Sequence, residues 1–341
     1  MRDFLDTSDL PPDSLGHVFV DTIQTKSIFR GLDDLFASPR TATNGRGLAV
    51  LGLPRCGKTL LVQEYLRRCM KGDTRDREGE DIVRRPLRYL YVQLQPGTRL
   101  STIPSQTLEV LGHPAPFAGR HDTTQTRDVI SMIVEGAYEV VVYDEVHHLT
   151  SSDTKRVREN GTHWLTHVLD RTRCPMILIG YKRFSNILRE NGFLGGRLVA
   201  AEPLKPYSLD DRQSFTMFMV VLRAFEGALG LPTASDLWRP DTAARLLAAS
   251  GGRIGLLENL LTAARQEARR LRHSALTTEV LAAAVERMRN SWGDLRFNPF
   301  EVTDLKAAIK EHGEGFKLPE DEQQESSSSA RAATRSSSAP G

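Results

Sequence analysis

Leu51-Gly52-Leu53-Pro54-Arg55-Cys56-Gly57-Lys58-Thr59-Leu60 reads LGLPRCGKTL and sets Gly52, Gly57, Lys58 and Thr59 at the spacing GxxxxGK[ST]. That spacing describes a phosphate-binding loop. Its glycines let backbone N–H groups close on a polyphosphate, and the following helix turns its positive dipole end toward the same anion. Lys58 would then reach the β and γ phosphates, and Thr59 would ligate Mg²⁺. Leu53, Pro54, Arg55, Cys56 and Leu60 complete the nucleotide-binding stretch through their main chain. Cys56 needs only to be small there, although its thiol would make the loop sensitive to thiol reagents.

The flanks agree with the loop. Gly47-Leu48-Ala49-Val50-Leu51 is a short apolar run closing on Gly52, which reads as a buried strand feeding a tight turn. After the loop, Leu60, Leu61, Val62, Tyr65 and Leu66 recur at helical spacing with Gln63, Glu64, Arg67 and Arg68 between them, so a helix opens where the phosphates belong. A glycine turn that binds nothing would need neither neighbour.

Hydrolysis needs a second acidic element, and Val140-Val141-Val142-Tyr143-Asp144-Glu145 supplies a Walker B pattern. Asp144 would hold the Mg²⁺ through its water shell, and Glu145 would orient the water that attacks the γ-phosphate. Two acids that merely cap a strand are the alternative, and the β-branched run beside a phosphate loop weighs against it. His147 and His148 follow directly. Zincins place two histidines four apart with Glu after the first, whereas here Glu precedes both and the histidines are adjacent. Adjacent residues on a helix or turn point apart, so no zinc site is expected.

The chain has 341 residues, a formal net charge of +2 and 40% hydrophobic residues, enough for a large domain plus a smaller one and too balanced for a polycation. Its three cysteines, Cys56, Cys69 and Cys174, are odd in number and far apart, which implies no disulfide framework and suits a reducing cytoplasm. The acidic, proline-broken start MRDFLDTSDLPPDS lacks a signal peptide's basic and apolar regions, and no apolar run approaches membrane-spanning length.

Strands at Arg88–Leu94 and Pro175–Gly180, with a helix over Gln125–Gly136, extend the alternation of strand and helix through about residue 200, which implies a parallel sheet with helices on both faces. Lys71–Arg85 is dense in both signs of charge and reads as a mobile surface loop. From about Tyr207 only helices are expected, over 210–226, 240–250, 254–272 and 277–291, divided by Gly and Pro. The Ser-rich stretch beyond Leu318 is nearly devoid of large apolar residues and is expected to be disordered. The expected division is an N-terminal extension (1–20), an α/β nucleotide-binding domain (21–206), a helical lid (207–300), a C-terminal extension (301–317) and a tail (318–341).

An α/β P-loop domain followed by a helical lid is the architecture of AAA+ ATPases. Within these the chain resembles the TniB/TnsC family of transposition regulators over about residues 15–302, through LGLPRCGKTLL, VVYDEVHHL, PMILIGYKRF, GGRIGLLENLL and Asn298-Pro299-Phe300. The resemblance implies an ATP- and Mg²⁺-dependent protein that assembles as a homo-oligomeric ring or filament on double-stranded DNA. It further implies that the assembly marks a target site, works beside a target-selector protein, recruits and activates a DDE transposase, and is released by hydrolysis.

The resemblance also grades further residues. Tyr181, after Ile179-Gly180, stands where AAA+ proteins place sensor 1; a small polar residue is usual there, so the phenol either reaches the γ-phosphate or packs against a neighbour. Arg197, in preference to Arg189, lies where an arginine finger from an adjacent subunit would offset charge on the transferring phosphoryl group. Arg253 opens a lid helix as a sensor 2 candidate. DNA contacts would come from loops rich in cations and hydroxyls, either Thr98-Arg99 with Ser101-Thr102 or Lys155-Arg156 with Arg158. Competing readings are an origin-recognition type initiator or helicase loader, a P-loop kinase, and a signalling module that holds ATP without turning it over. A kinase predicts a mobile arginine-rich lid, and Glu145 argues against mere holding.

Overall fold

The computed structural model describes residues 4–5, 14–37, 45–71, 87–96, 98, 102–117, 122–150, 155–190, 192–199, 203–292 and 295–313. The charged stretch expected to form a loop (72–85) and the Ser-rich tail (318–341) lie outside them. The chain divides into two compact units, Met1–Asp6 with Asp21–Lys205 and Thr7–Val20 with Pro206–Gly341.

The first unit is built on a five-stranded parallel sheet of order β2-β3-β4-β1-β5, from β1 (Gly47–Leu51), β2 (Tyr89–Gln93), β3 (Val140–Asp144), β4 (Met176–Gly180) and β5 (Leu198–Val199). Every residue of β1, β3 and β4 is buried, as continuous apolar runs require when both faces of a sheet are covered. Ala49, Leu51, Val141, Tyr143, Met176 and Leu178 share one core with Leu108 of α3 (Ile103–Val110), Val129 and Ile133 of α4 (Asp122–Glu135), and Trp164, Leu165, Val168 and Leu169 of α5 (Lys155–Thr172). Leu48, Val50, Val142 and Ile177 alternate with those strand residues and are equally buried. Here α1 (Ile23–Ala37) packs on β1 and α2 (Lys58–Lys71) on β4, burying Leu32, Leu35, Leu61 and Leu66. Two short helices, α6 (Phe184–Glu190) and α7 (Gly192–Gly195), lead into β5.

The second unit is helical: α8 (Arg212–Ala228), α9 (Pro240–Ser250), α10 (Ile254–Leu271), α11 (Thr278–Trp292) and α12 (Leu305–His312). Leu256, Leu257, Leu260, Leu261, Ala264 and Ala268 line one stripe of α10 at spacings of three and four, and they meet Phe218 and Leu222 of α8 and Leu246 and Leu247 of α9 in a single core. Asp211 caps α8 by accepting the Gln213 N–H at 2.9 Å. Between α9 and α10, Gly251 and Gly252 both take positive φ, and a Cβ on Gly252 would collide with the Tyr207 carbonyl oxygen. Leu15, on a single 3₁₀ turn (Leu15–His17), is buried in this same core. Among the described residues no helix is long and apolar enough to cross a membrane, and all three cysteines are buried free thiols.

Candidate nucleotide-binding site

At the carboxyl end of β1 the chain turns sharply into α2. Gly52 makes an isolated parallel bridge with Leu204, and a Cβ there would strike the Leu204 carbonyl oxygen, so the turn admits only glycine. Gly57 sits at φ +89°, and a side chain on it would project into open space beside the loop, the volume that a phosphate needs. Arg55, also at positive φ, completes the loop's curvature. Cys56 is buried under it rather than presented to solvent.

Lys58 is the first residue of α2 and only 8% exposed. Its Nζ donates to the carbonyl oxygens of Leu53 at 2.8 Å and Gly52 at 3.3 Å and lies 5.3 Å from the centroid of the Tyr181 ring. The ammonium is thus held by the loop's own acceptors at the place where a polyphosphate would offer better ones. Thr59, one residue on, donates its hydroxyl to Oδ2 of Asp144 at 2.8 Å.

Asp144 ends β3, whose neighbours β2 and β4 fix its position. Besides Thr59 it accepts the Tyr91 hydroxyl at 3.0 Å, and its Oδ1 accepts the N–H of Glu145 at 2.7 Å. Burial pushes the Asp144 carboxyl up from its ordinary value, against the opposing pull of the Thr59, Glu145 and Tyr91 donors. A buried carboxylate facing a threonine hydroxyl is the hard-oxygen donor pair that Mg²⁺ favours, so the residues present fit that ion.

Glu145 leaves the strand at φ +59°, a left-handed conformation that costs a non-glycine residue about 1 to 2 kcal/mol and that collects at functional sites. Its carboxylate is 3.0 Å from Nδ1 of His147, and this contact, with Lys58 and His148 contributing, holds its pKa below the ordinary carboxylate value. His147 is 3% exposed and stacks flat on Tyr181, ring centroids 3.5 Å apart and 10° from parallel. Burial first, and then the neighbouring His147, lower the pKa of His148 and favour its neutral form. The site is therefore a tight cluster in which one anion, Glu145, is braced by an imidazole that Tyr181 clamps.

The two histidines require a correction to the sequence reading. They sit on a 3₁₀ turn (Val146–Thr150), yet their rings lean together with centroids 4.3 Å apart, and ligand atoms of Glu145, His147 and His148 all lie within 4.8 Å of one another. Adjacency does not separate them: ligand atoms of both approach Glu145, and the His147 ring stacks on Tyr181. Tyr91 is not singled out by the sequence, and His147 is weighed there only as a zinc ligand. Tyr91 belongs to the alternation Tyr89-Leu90-Tyr91, but its partner becomes visible only once β2 is known to lie beside β3.

The remaining expected site residues are placed as follows. Tyr181 follows β4 directly and faces both Lys58 and His147. Arg197 precedes β5, its Nε donating to Asp170 at 2.7 Å and its carbonyl accepting the N–H of Gly47 at 3.0 Å. Gly47 begins β1 and the phosphate loop follows its end, so Arg197 stands at the opposite end of the strands from the chain's own loop, roughly 13 Å away along β1. Arg253 is buried at the start of α10 in the second unit. Thr98 is 5% exposed, its hydroxyl hydrogen-bonded to the Gln95 carbonyl oxygen and facing Gln106, so it braces its own turn. Arg99 lies outside the described residues. Lys155 and Arg156 begin the eighteen-residue helix α5, where a loop was expected. The helix is masked in sequence by Asn160-Gly161, which favour turns, and its apolar periodicity starts only at Trp164.

Solved structures confirm the architecture. The chain is similar to the Aeropyrum pernix ORC2 protein in its ADPNP–ADP complexes (17% identity, TM-score 0.57, covering 83% of this chain and 70% of that one). It is similar to Cdc6p of Pyrobaculum aerophilum (14%, TM-score 0.57, 91% and 86%) and to the A. pernix ORC1 protein in complex with DNA (16%, TM-score 0.57, 84% and 69%). At these identities the likeness shows the fold, an AAA+ P-loop α/β unit with a helical unit. No curated protein sequence matches the chain. The family model described as bacterial TniB protein matches residues 16–207, more than half of the chain, which therefore belongs to the TniB family.

Proposed function

We propose that this protein is an ATP-hydrolysing regulator of DNA transposition that assembles on double-stranded DNA while ATP is bound, marks the target site, and recruits and activates a DDE transposase. The observation that carries the nucleotide chemistry is the convergence of Lys58, Thr59, Asp144 and Glu145 at the carboxyl ends of β1 and β3. Membership of the TniB family supports the transposition setting.

In this reading Lys58 exchanges its loop carbonyls for phosphate oxygens, and the loop N–H groups close on the same anion. Thr59 and Asp144 would hold Mg²⁺, which when bound supplies positive charge to the phosphate oxygens. Glu145, kept anionic by His147 and Lys58, orients and polarises a water molecule. Tyr181 clamps His147 and so keeps Glu145 in place between turnovers.

Arg197, at the opposite end of the strands from its own phosphate loop, is suited to a neighbouring subunit's site, where it would leave Asp170 for the phosphoryl charge. Mixing Arg197→Ala subunits, which keep their own phosphate loops, with Lys58→Ala subunits, which keep the finger, is expected to restore up to about a quarter of wild-type turnover at equal mixing, since one of the four kinds of interface regains both parts. ATPase rates across the mixing ratios check this; two inactive variants whose mixtures stay inactive would place Arg197 within a single subunit's function.

DNA binding is the second testable step. Fluorescence anisotropy with labelled duplexes is expected to show binding with ATP but not without nucleotide, little preference among sequences, and affinity falling about a hundredfold or more between 50 and 200 mM salt. Binding that is sequence-specific and indifferent to ATP would instead favour the origin-recognition reading, to which the fold likeness of the ORC and Cdc6 proteins lends support.

A further inference from the structure

Phe4 is a large apolar residue near the start of the chain, yet it is only 7% exposed. Its ring lies on that of Tyr91, with centroids 3.7 Å apart and planes 15° from parallel, and meets Tyr89 edge-on at 6.2 Å. Its carbonyl oxygen accepts a hydrogen bond from Nε2 of Gln63 at 2.8 Å, so main chain and ring are both fixed. Gln63 belongs to α2, which begins with Lys58 and Thr59, and Tyr91 belongs to β2, which pairs with the strand ending in Asp144. A single residue outside the α/β alternation thus bridges α2, which delivers the metal-holding hydroxyl, and β2, the neighbour of the strand that delivers the carboxylate.

What Phe4 controls is the direction of one hydroxyl. Tyr91 donates to Oδ2 of Asp144 at 3.0 Å, the same oxygen that Thr59 addresses at 2.8 Å. The Asp144 carboxylate has two oxygens, and the third donor, the N–H of Glu145, holds the other. Freed of the ring stacked on it, Tyr91 could swing toward solvent, and Asp144 would lose one of the three donors that aim it.

We propose that Phe4 is a positioning residue for the metal half of the site: stacked on Tyr91, it keeps that hydroxyl on Asp144 and thereby sets the affinity for Mg²⁺ in the nucleotide complex. The inference rests on Thr59 and Asp144 being the Mg²⁺-holding pair.

The test is equilibrium binding of a fluorescent N-methylanthraniloyl ATP to the full chain, titrated with Mg²⁺ and repeated in EDTA. Phe4→Ala is expected to raise the Mg²⁺ half-point about fivefold, the scale of one aromatic pair. Tyr91→Phe should raise it about tenfold, and the double variant no further than the larger single effect, because both act through one hydrogen bond. Phe4→Trp should restore the half-point to within about twofold, and binding in EDTA should be the same for all. A half-point unmoved in Phe4→Ala, effects that multiply in the double variant, or equal losses with and without Mg²⁺ would each overturn the proposal. Lys58→Ala is the reference that separates the two readings. If it binds nucleotide as wild type does, the phosphate-loop assignment fails; if it does not, the Phe4 and Tyr91 variants judge this inference alone.

Discussion

Replacing Lys58 with alanine is expected to lower ATP affinity by about a hundredfold or more, the largest effect of any single substitution in the chain. The ammonium is buried, it points across the mouth of the loop, and its acceptors are two main-chain carbonyls that a phosphate would outcompete. Charged hydrogen bonds contribute about 1.5 to 3 kcal/mol each, and contacts to two phosphates together account for the loss. The fold should survive, because the substitution removes only a side chain whose hydrogen bonds go to the loop's own carbonyls and leaves the glycines and strands that shape the turn. Isothermal titration with ATP and Mg²⁺ measures the effect, with circular dichroism to confirm folding; near wild-type affinity in a folded Lys58→Ala protein would remove the basis for reading the loop as a phosphate site.

Glu145→Gln should separate holding ATP from using it. The amide keeps the shape of the side chain and a partner for His147, but it lacks the negative charge that, in the proposed function, would polarise water. Turnover should fall about a hundredfold or more while ATP affinity stays within about threefold of wild type. The positive φ of Glu145 makes the position costly, and that cost goes with its placement between Lys58 and His147. Single-turnover hydrolysis alongside equilibrium binding tests both halves. A variant that turns over normally would mean that another group orients the water.

Much of this arrangement can be read from the chain alone, and the rest cannot, for identifiable reasons. The phosphate loop is legible because its chemistry lies in consecutive residues, and Asp144-Glu145 because a β-branched run ends on them. The β1 and β4 boundaries follow from apolar runs that parallel burial makes continuous. Tyr91 and Phe4 are illegible because their roles depend on which strand lies beside β3, and strand order is a property of the crossovers. The closeness of His147, His148 and Glu145 depends on side-chain torsions that spacing does not report. Asn160-Gly161 concealed the first half of α5, and the position of Arg197 at the opposite end of the strands from the loop follows only from its pairing beside Gly47.

In the proposed function these residues would together make nucleotide state the switch for assembly. In that reading Lys58 and Thr59 would sense that ATP is present, Glu145 would end that state, and Arg197, at the amino end of β5, would serve a second subunit. Electron microscopy of the Glu145→Gln protein with ATP, Mg²⁺ and duplex DNA tests this claim most directly. The account predicts rings or filaments enclosing the duplex that persist with ATP and are absent with ADP or with Lys58→Ala; isolated subunits under all of these conditions would contradict it.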